Sequence, residues 1–92
     1  MLTEEELMNL QHYADKIISS ADKEVMESQK EDFLDDLDEY MDESKGKEEI
    51  MIIGKDVVRM LRNYKEAAKK QEHKDLFDEL IGEVEDLYER KV

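Results

Sequence analysis

Residues 50–68 read IMIIGKDVVRMLRNYKEAA, and this segment decides the fold class of the chain. Its apolar side chains recur at spacings of three and four, and the pattern continues across Gly54. The residues in this pattern are Ile50, Ile53, Val57, Leu61, Tyr64 and Ala68. Such spacing places them on one face of an α-helix. The β-rich run at residues 50–53 would also suit a short strand. Because the helical spacing continues past it, we favour a helix, in which Asp56 could cap a restart after Gly54.

Two segments before this one carry the same helical period. Thr3 and Glu6 form a capping box, which predicts a first helix from about Thr3 into the low twenties. Its apolar face comprises Leu7, Leu10, Ala14, Ile17, Ala21 and Val25. Ser28 and Glu31 form a second capping box, so a second helix is predicted from there to about Gly46. Its apolar row comprises Phe33, Leu37 and Tyr40.

A last helix is predicted to start near Asp75, with Asp78 at its third position. Its apolar face comprises Phe77, Leu80, Ile81, Val84, Leu87 and Tyr88. The chain has 92 residues, no Pro and three Gly, so few residues interrupt helices. We therefore expect a single acidic helical domain, residues 1–92, which folds as an all-α bundle of three or four helices.

No motif for catalysis, metal binding or cofactor binding is evident. His12 and His73 lack the spacing of a metal site, and the chain has no Cys. Residues 36–46 do not fit a calcium loop, because Met41 stands where that loop needs Gly. The longest apolar run has four residues, which is too short for a membrane span or a signal peptide. We expect a non-enzymatic, cytoplasmic protein that has no catalytic residues, no metal site and no cofactor.

The net charge of −13 arises from 27 acidic and 14 basic residues, which are segregated along the chain. Residues 1–44 carry −12, residues 45–74 carry +4 and residues 75–92 carry −5. An acidic protein of this size repels nucleic acid and anionic membranes, so its partner should be a basic protein. The bases of the third helix could form a nucleic-acid stripe, but pairing with acids of this chain or of an oligomer is the stronger interpretation. These bases are Lys55, Arg59, Arg62, Lys65, Lys69 and Lys70.

Ten of the acids lie between residues 24 and 43, where Lys30 is the single base. Helical spacing divides them into two rows. The first row is Glu24, Glu27, Glu31, Asp35, Asp38 and Asp42, and the second is Asp32, Asp36, Glu39 and Glu43. The last helix adds a second track, namely Asp78, Glu79, Glu83, Glu85, Asp86 and Glu89. The first row spans about 27 Å, most of one turn of duplex DNA.

Six pairs of like charge at i,i+4 in these rows destabilise the second helix by about 1–3 kcal/mol in total. Solubility alone does not require such an arrangement. The rows therefore indicate a binding surface, although they would also be compatible with a solvated face or with packing against the basic third helix.

In size, acidity and carboxylate layout the chain resembles the small anti-restriction DNA-mimic proteins of phages. The resemblance implies that the acidic rows occupy the DNA-binding site of a host protein, such as a restriction nuclease or a histone-like nucleoid protein. It also implies a homodimer that acts in the host cytoplasm and does not itself bind nucleic acid. Two other functions stay open: an antitoxin or immunity-type protein that acts by helix packing, and a structural or adaptor bundle.

Overall fold

A computed structural model describes residues 1–92 as four α-helices joined by short loops. The helices are α1 (Glu4–Ser19), α2 (Lys23–Asp42), α3 (Lys47–Ala67) and α4 (Gln71–Lys91). The prediction of an all-α bundle is therefore confirmed. Residues 50–53 belong to α3 and form no strand, and α3 continues through Gly54 and Asp56 without a restart. None of the four helices is long and apolar enough to cross a membrane.

The capping box at the start of α1 is confirmed. Thr3 Oγ1 accepts a hydrogen bond from the Glu6 amide at 3.1 Å, and the Glu6 carboxylate accepts one from the Thr3 amide at 2.9 Å. The helix ends at Ser19, earlier than the low twenties. Ala21 therefore lies in a loop, and Val25 is an exposed residue of α2.

The predicted starts of α2 and α4 are wrong. Asp22 caps α2, because its carboxylate accepts a hydrogen bond from the Glu24 amide at 2.9 Å. Ser28 and Glu31 lie inside that helix, where the backbone amides already bond to carbonyls four residues earlier. Helix α4 begins at Gln71, four residues before Asp75, and has no side-chain cap. A helix can start without a capping signal when tertiary packing stabilises its first turn.

The helices are arranged as two antiparallel hairpins, α1–α2 and α3–α4. Helix α2 packs beside α4, and α1 packs beside α3. The two helices within each of these pairs are parallel, since Lys91 of α4 contacts Asp42 of α2 and Tyr64 of α3 contacts Asp15 of α1. The remaining pairs, α1 with α4 and α2 with α3, therefore lie across the diagonals of the bundle.

The core contains most of the apolar faces that the sequence predicts. The buried residues of this core are Leu10, Ala14, Ile17, Met26, Phe33, Leu37, Met41, Ile53, Val57, Val58, Leu61, Leu76, Phe77, Leu80, Ile81, Val84 and Tyr88. Leu7 is predicted on the apolar face of the first helix but is not buried: it lies in the first turn of α1 and remains 37% exposed. Tyr40 and Leu87 are half-buried at the edge of the core. On α2, Met26 and Met41 are buried in the core together with Phe33 and Leu37.

Gly54 allows the closest approach between α3 and α4. A Cβ atom at this position would lie 2.5 Å from Cγ of the Tyr88 ring, which is far below van der Waals contact. Gly82 differs, because a Cβ atom there would meet nothing within 4 Å. Both glycines are helical, so the chain offers a matched pair of sites with and without a steric reason for glycine.

We expect Gly54→Ala and Gly82→Ala to have opposite effects on stability. Ala favours a helix over Gly by about 1 kcal/mol, so Gly82→Ala should stabilise the protein by about that amount. Gly54→Ala should destabilise it by about 1–3 kcal/mol, because the Tyr88 ring must move out of a packed core. Urea unfolding followed by circular dichroism measures both changes. Equal stabilisation of both variants would show that the helices do not meet at Gly54.

Candidate protein-binding face

The acidic helices α2 and α4 lie side by side, and Lys30 joins them near their middle. Its ammonium lies 3.2 Å from a carboxylate oxygen of Glu27 on α2. It also lies 3.2 Å from Glu83 and 3.7 Å from Glu79, both on α4. The Lys30 side chain is only 12% exposed, so it is held in the seam between the helices. One cation thus offsets the repulsion among three carboxylates.

A second cation, Lys91, joins the same helices near their carboxyl ends. Its ammonium lies 2.5 Å from Asp38 Oδ1 and 2.6 Å from Asp42 Oδ1. Because Asp38 and Asp42 are four residues apart on α2, one lysine from α4 neutralises two neighbours of the first acidic row. This contact requires α2 and α4 to be parallel, so the chain sequence alone does not reveal it.

The environment of both lysines favours their charged form. Burial acts to lower the pKa of Lys30, but hydrogen bonds to Glu27 and Glu83 outweigh it and hold that pKa above its usual value. Hydrogen bonds to Asp38 and Asp42 likewise raise the pKa of Lys91. Both ammonium groups therefore remain charged at neutral pH and act as fixed internal counterions.

The first row of α2 lies next to α4, and the structure brings it together with part of the α4 track. A groove of about 250 Å³ runs between the helices, lined by Leu34, Asp35, Asp38, Glu83, Asp86, Leu87 and Arg90. We call the combined surface the acidic face. It comprises Glu24, Glu27, Glu31, Asp35, Asp38 and Asp42 of α2 with Glu79, Glu83 and Asp86 of α4. Glu24, Glu31, Asp35 and Asp86 are exposed and make no ion pair within the chain.

The second row of α2 lies on the other flank of this helix, toward α1. The Tyr13 hydroxyl donates a hydrogen bond to Asp36 at 2.6 Å, and Asn9 donates one to the Tyr40 hydroxyl at 3.1 Å. The hydrogen bond to Asp36, burial and nearby carboxylates raise the pKa of Tyr13 to about 12. The remaining members of this row, Asp32, Glu39 and Glu43, are exposed.

The α4 track is divided between two flanks of its helix. Glu79 and Glu83 lie toward α2, as their contacts with Lys30 show. Asp78 lies toward α3, where its carboxylate is 2.6 Å from the ammonium of Lys65. Glu85 and Glu89 follow Asp78 at seven and eleven residues along the helix, so they share its flank.

The basic helix α3 does not cover the acidic face, because it lies diagonally across the bundle from α2. Two of its bases make ion pairs, Lys65 with Asp78 and Arg59 with Asp56. Lys55 and Arg62 make none. Lys69 and Lys70, predicted on the third helix, lie beyond its end at Ala67 and also make none. The molecule therefore presents acidic and basic surfaces on different sides.

Two further polar contacts link helices without forming a reactive group. Nε2 of the buried His73 lies 2.6 Å from the Ser20 carbonyl oxygen, which ties α4 to the loop after α1. The Tyr64 hydroxyl donates to Asp15 at 2.7 Å, and burial together with this bond raises the pKa of Tyr64 to about 12. No group of three or more acidic or histidine side chains is placed to hold a metal ion.

Comparison of the chain with protein-family models, with curated proteins and with solved structures gave no match. The most distinctive property of the surface is that two parallel helices present carboxylates side by side, held together by two lysines in the seam.

We expect Lys30→Met to destabilise the protein by about 1–2 kcal/mol, since three carboxylates lose their shared counterion. Lys16→Met is the matched control, because Lys16 is an exposed helical lysine without an ion pair. Urea unfolding at low and high salt measures the effect. Added salt should reduce the deficit of Lys30→Met by screening the repulsion. A deficit equal to that of the control would show that Lys30 does not join the helices.

We expect stability to fall at alkaline pH. Folding raises the pKa values of Tyr13 and Tyr64 from 10.0 to about 12, and it raises those of Lys30 and Lys91 as well. A group whose pKa is higher in the folded state than in the unfolded state stabilises the fold fully when the pH is below its unfolded-state pKa. This contribution is lost as the pH rises through its folded-state pKa. Unfolding free energy should therefore decline between about pH 10 and pH 12. Tyr13→Phe should decline less steeply; an identical pH profile would contradict the Tyr13–Asp36 contact.

Proposed function

We propose that this protein is a non-enzymatic DNA mimic that acts in the cytoplasm. Its acidic face would occupy the DNA-binding site of a basic protein, such as a restriction nuclease or a histone-like nucleoid protein. One observation carries the proposal: α2 and α4 are parallel neighbours that both present carboxylates to the same side. The resemblance to phage anti-restriction proteins supports the same function.

The dimensions of the acidic face suit a protein that normally binds a duplex. The α2 row from Glu24 to Asp42 covers about 27 Å, and packed helices lie about 8–10 Å apart. The grooves of DNA, about 6 Å and 12 Å wide, separate phosphate strands by comparable distances. A target whose Arg and Lys side chains reach across a groove could therefore contact carboxylates of both helices at once.

The exposed carboxylates and the seam lysines would contribute differently to binding. Glu31, Asp35 and Asp86 have no partner within the chain, so they are available to form charge-assisted hydrogen bonds with basic side chains. Lys30 and Lys91 neutralise part of the face, but they lie in the seam with side chains only 12% and 19% exposed. They would hold the two rows in place while leaving the outer carboxylates free.

We also propose that the protein forms a homodimer, as the resemblance implies. It would present two acidic faces, provided that the copies associate through another side of the bundle. The basic target would remain the partner of each acidic face, and nucleic acid would act only as a competitor.

The proposal can be tested by inhibition of DNA binding. A histone-like nucleoid protein and a restriction endonuclease would each be mixed with fluorescent duplex DNA, and this protein would be titrated in. We expect it to displace DNA from at least one of these probes, and the displacement should weaken steeply with salt because charge pairing dominates. No displacement from basic DNA-binding proteins at low salt would contradict mimicry.

A charge-matched pair of variants tests the face itself. Glu31→Gln, Asp35→Asn and Asp86→Asn together remove three free carboxylates, and we expect inhibition to weaken by at least about tenfold. Glu5→Gln, Glu48→Gln and Glu66→Gln change the net charge equally on exposed sites elsewhere. Equal inhibition by the two variants would show that only net charge matters.

The same competition separates mimicry from the antitoxin or immunity alternative. Duplex DNA competes with a mimic for the target, whereas it does not displace an antitoxin from a toxin that lacks a DNA site. A partner that binds this protein and ignores both DNA and salt would favour helix packing.

A further inference from the structure

Over most of its length, the side of the bundle formed by α3 and α4 carries opposite charges on its two helices; Glu66 on α3 and Lys74 on α4 reverse the signs beyond Lys65 and Asp78. On α3, Lys55, Arg62 and Lys65 follow one another at spacings of seven and three, which places them on one flank. The ion pair between Lys65 and Asp78 shows that this flank faces α4. On α4, Asp78, Glu85 and Glu89 form the matching acidic flank. We call these six residues the α3–α4 face.

Most charges of the α3–α4 face are not satisfied within the chain. Lys65 and Asp78 pair with each other, but Lys55, Arg62, Glu85 and Glu89 make no ion pair with any residue. The surface is therefore a basic row beside an acidic row, and each row lacks a full set of counterions.

Two contacts define the register between the antiparallel helices. Lys65 is level with Asp78 at one end, and Gly54 meets the Tyr88 ring at the other. Lys55 is therefore about level with Glu89, and Arg62 is about level with Gly82. Gly82 leaves open space on α4, since a Cβ atom there would meet nothing within 4 Å.

We propose that the α3–α4 face is the interface of a homodimer, with a two-fold axis parallel to the helices. Such an axis places the basic row of each copy opposite the acidic row of the other. Because rotation about this axis does not shift residues along it, residues that are level within one copy also face each other across the interface. Lys55 then faces Glu89 of the second copy, and Lys65 faces Asp78. Arg62 enters the space over Gly82 of the second copy and reaches Glu85. A two-fold interface is self-complementary, which this charge pattern satisfies.

The size and composition of the face predict a weak, salt-sensitive dimer. Helices of this length are about 30 Å long, so two of them offer roughly 600 Å² per copy, the lower end for a specific interface. The nearly buried side chains of Val58 and Ile81, 6% and 8% exposed, add little apolar area. Charge pairing must therefore supply most of the attraction.

This dimer would leave the acidic face of each copy free. The acidic face lies on the α2–α4 side, which adjoins the α3–α4 side at α4. The two acidic faces then point away from each other on opposite sides of the dimer. The inference identifies the surface of the homodimer proposed above, but its test needs only this chain, so its failure would leave the acidic-face proposal unaffected.

Sedimentation equilibrium tests the interface directly. We expect dimers of the wild-type protein at about 0.15 M salt, where a Debye length of about 8 Å screens the repulsion between two copies of net charge −13 but leaves pairs in contact, and monomers at about 1 M, where it is about 3 Å. A protein that stays monomeric at about 0.15 M salt up to millimolar concentration would overturn the proposal.

Charge reversal locates the interface. The variant Lys55→Glu with Arg62→Glu, and the variant Glu85→Lys with Glu89→Lys, should each raise the dimer dissociation constant at least about tenfold. Mixed in equal amounts, they should form a heterodimer, because both contacts across the two-fold axis are then attractive. Failure of the mixture to associate, with both variants folded by circular dichroism, would overturn the proposal.

Two controls separate the interface from general charge effects. Lys16→Glu makes a charge reversal on the exposed surface of α1, outside the α3–α4 face, and should leave the dimer within about twofold of wild type. Gly82→Arg should abolish the dimer by filling the space that Arg62 of the second copy requires, whereas Gly82→Ala should retain it. A dimer that persists in Gly82→Arg would contradict this register.

Discussion

The contact of Lys30 with carboxylates from two helices is the constraint on which the rest of the structure depends. Helices α2 and α4 are both strongly acidic, and their parallel packing brings like charges together along the seam. Hydrophobic burial by Phe33 and Phe77 drives the helices together, but it does not remove this repulsion. Lys30 and Lys91 offset it locally and so permit two acidic helices to lie side by side.

This arrangement separates the surfaces of the bundle by charge. Because α2 and α3 are on a diagonal, the basic helix cannot neutralise the acidic face and pairs only partly with α4. The result is one side with two acidic helices and an adjoining side with one basic and one acidic helix. Charge segregation along the sequence thus becomes a segregation of surfaces, and each surface suits a different kind of partner.

Helical period alone was enough to predict the fold class. The spacing of apolar residues across Gly54 predicts a helix there, although the helix does not restart at Asp56, and the capping box at Thr3 predicts the start of α1. The starts of α2 and α4 are not predictable in this way, because Ser28 and Glu31 imitate a capping box inside α2 and α4 carries no such signal. Lys70 supplies no side-chain cap to α4, and Asp22 caps α2 without the reciprocal Glu that marks a capping box.

The carboxylate rows were also predictable, but their distribution over the molecule was not. Helical spacing placed Glu31 and Asp35 in one row and Asp36 in another, and the contact of Asp36 with Tyr13 agrees with that division. The separation of Asp78 from Glu79 depends on which helices flank α4. That information lies in the packing order of the helices, which periodicity does not encode.

The most direct test of the central claim is an NMR titration of the labelled protein with a histone-like nucleoid protein, with and without duplex DNA. The proposed mimicry predicts that shifts concentrate on the acidic face, around Glu31, Asp35 and Asp86, and disappear when DNA is added. Shifts concentrated on α1 and α3, or shifts that persist unchanged with DNA, would contradict it.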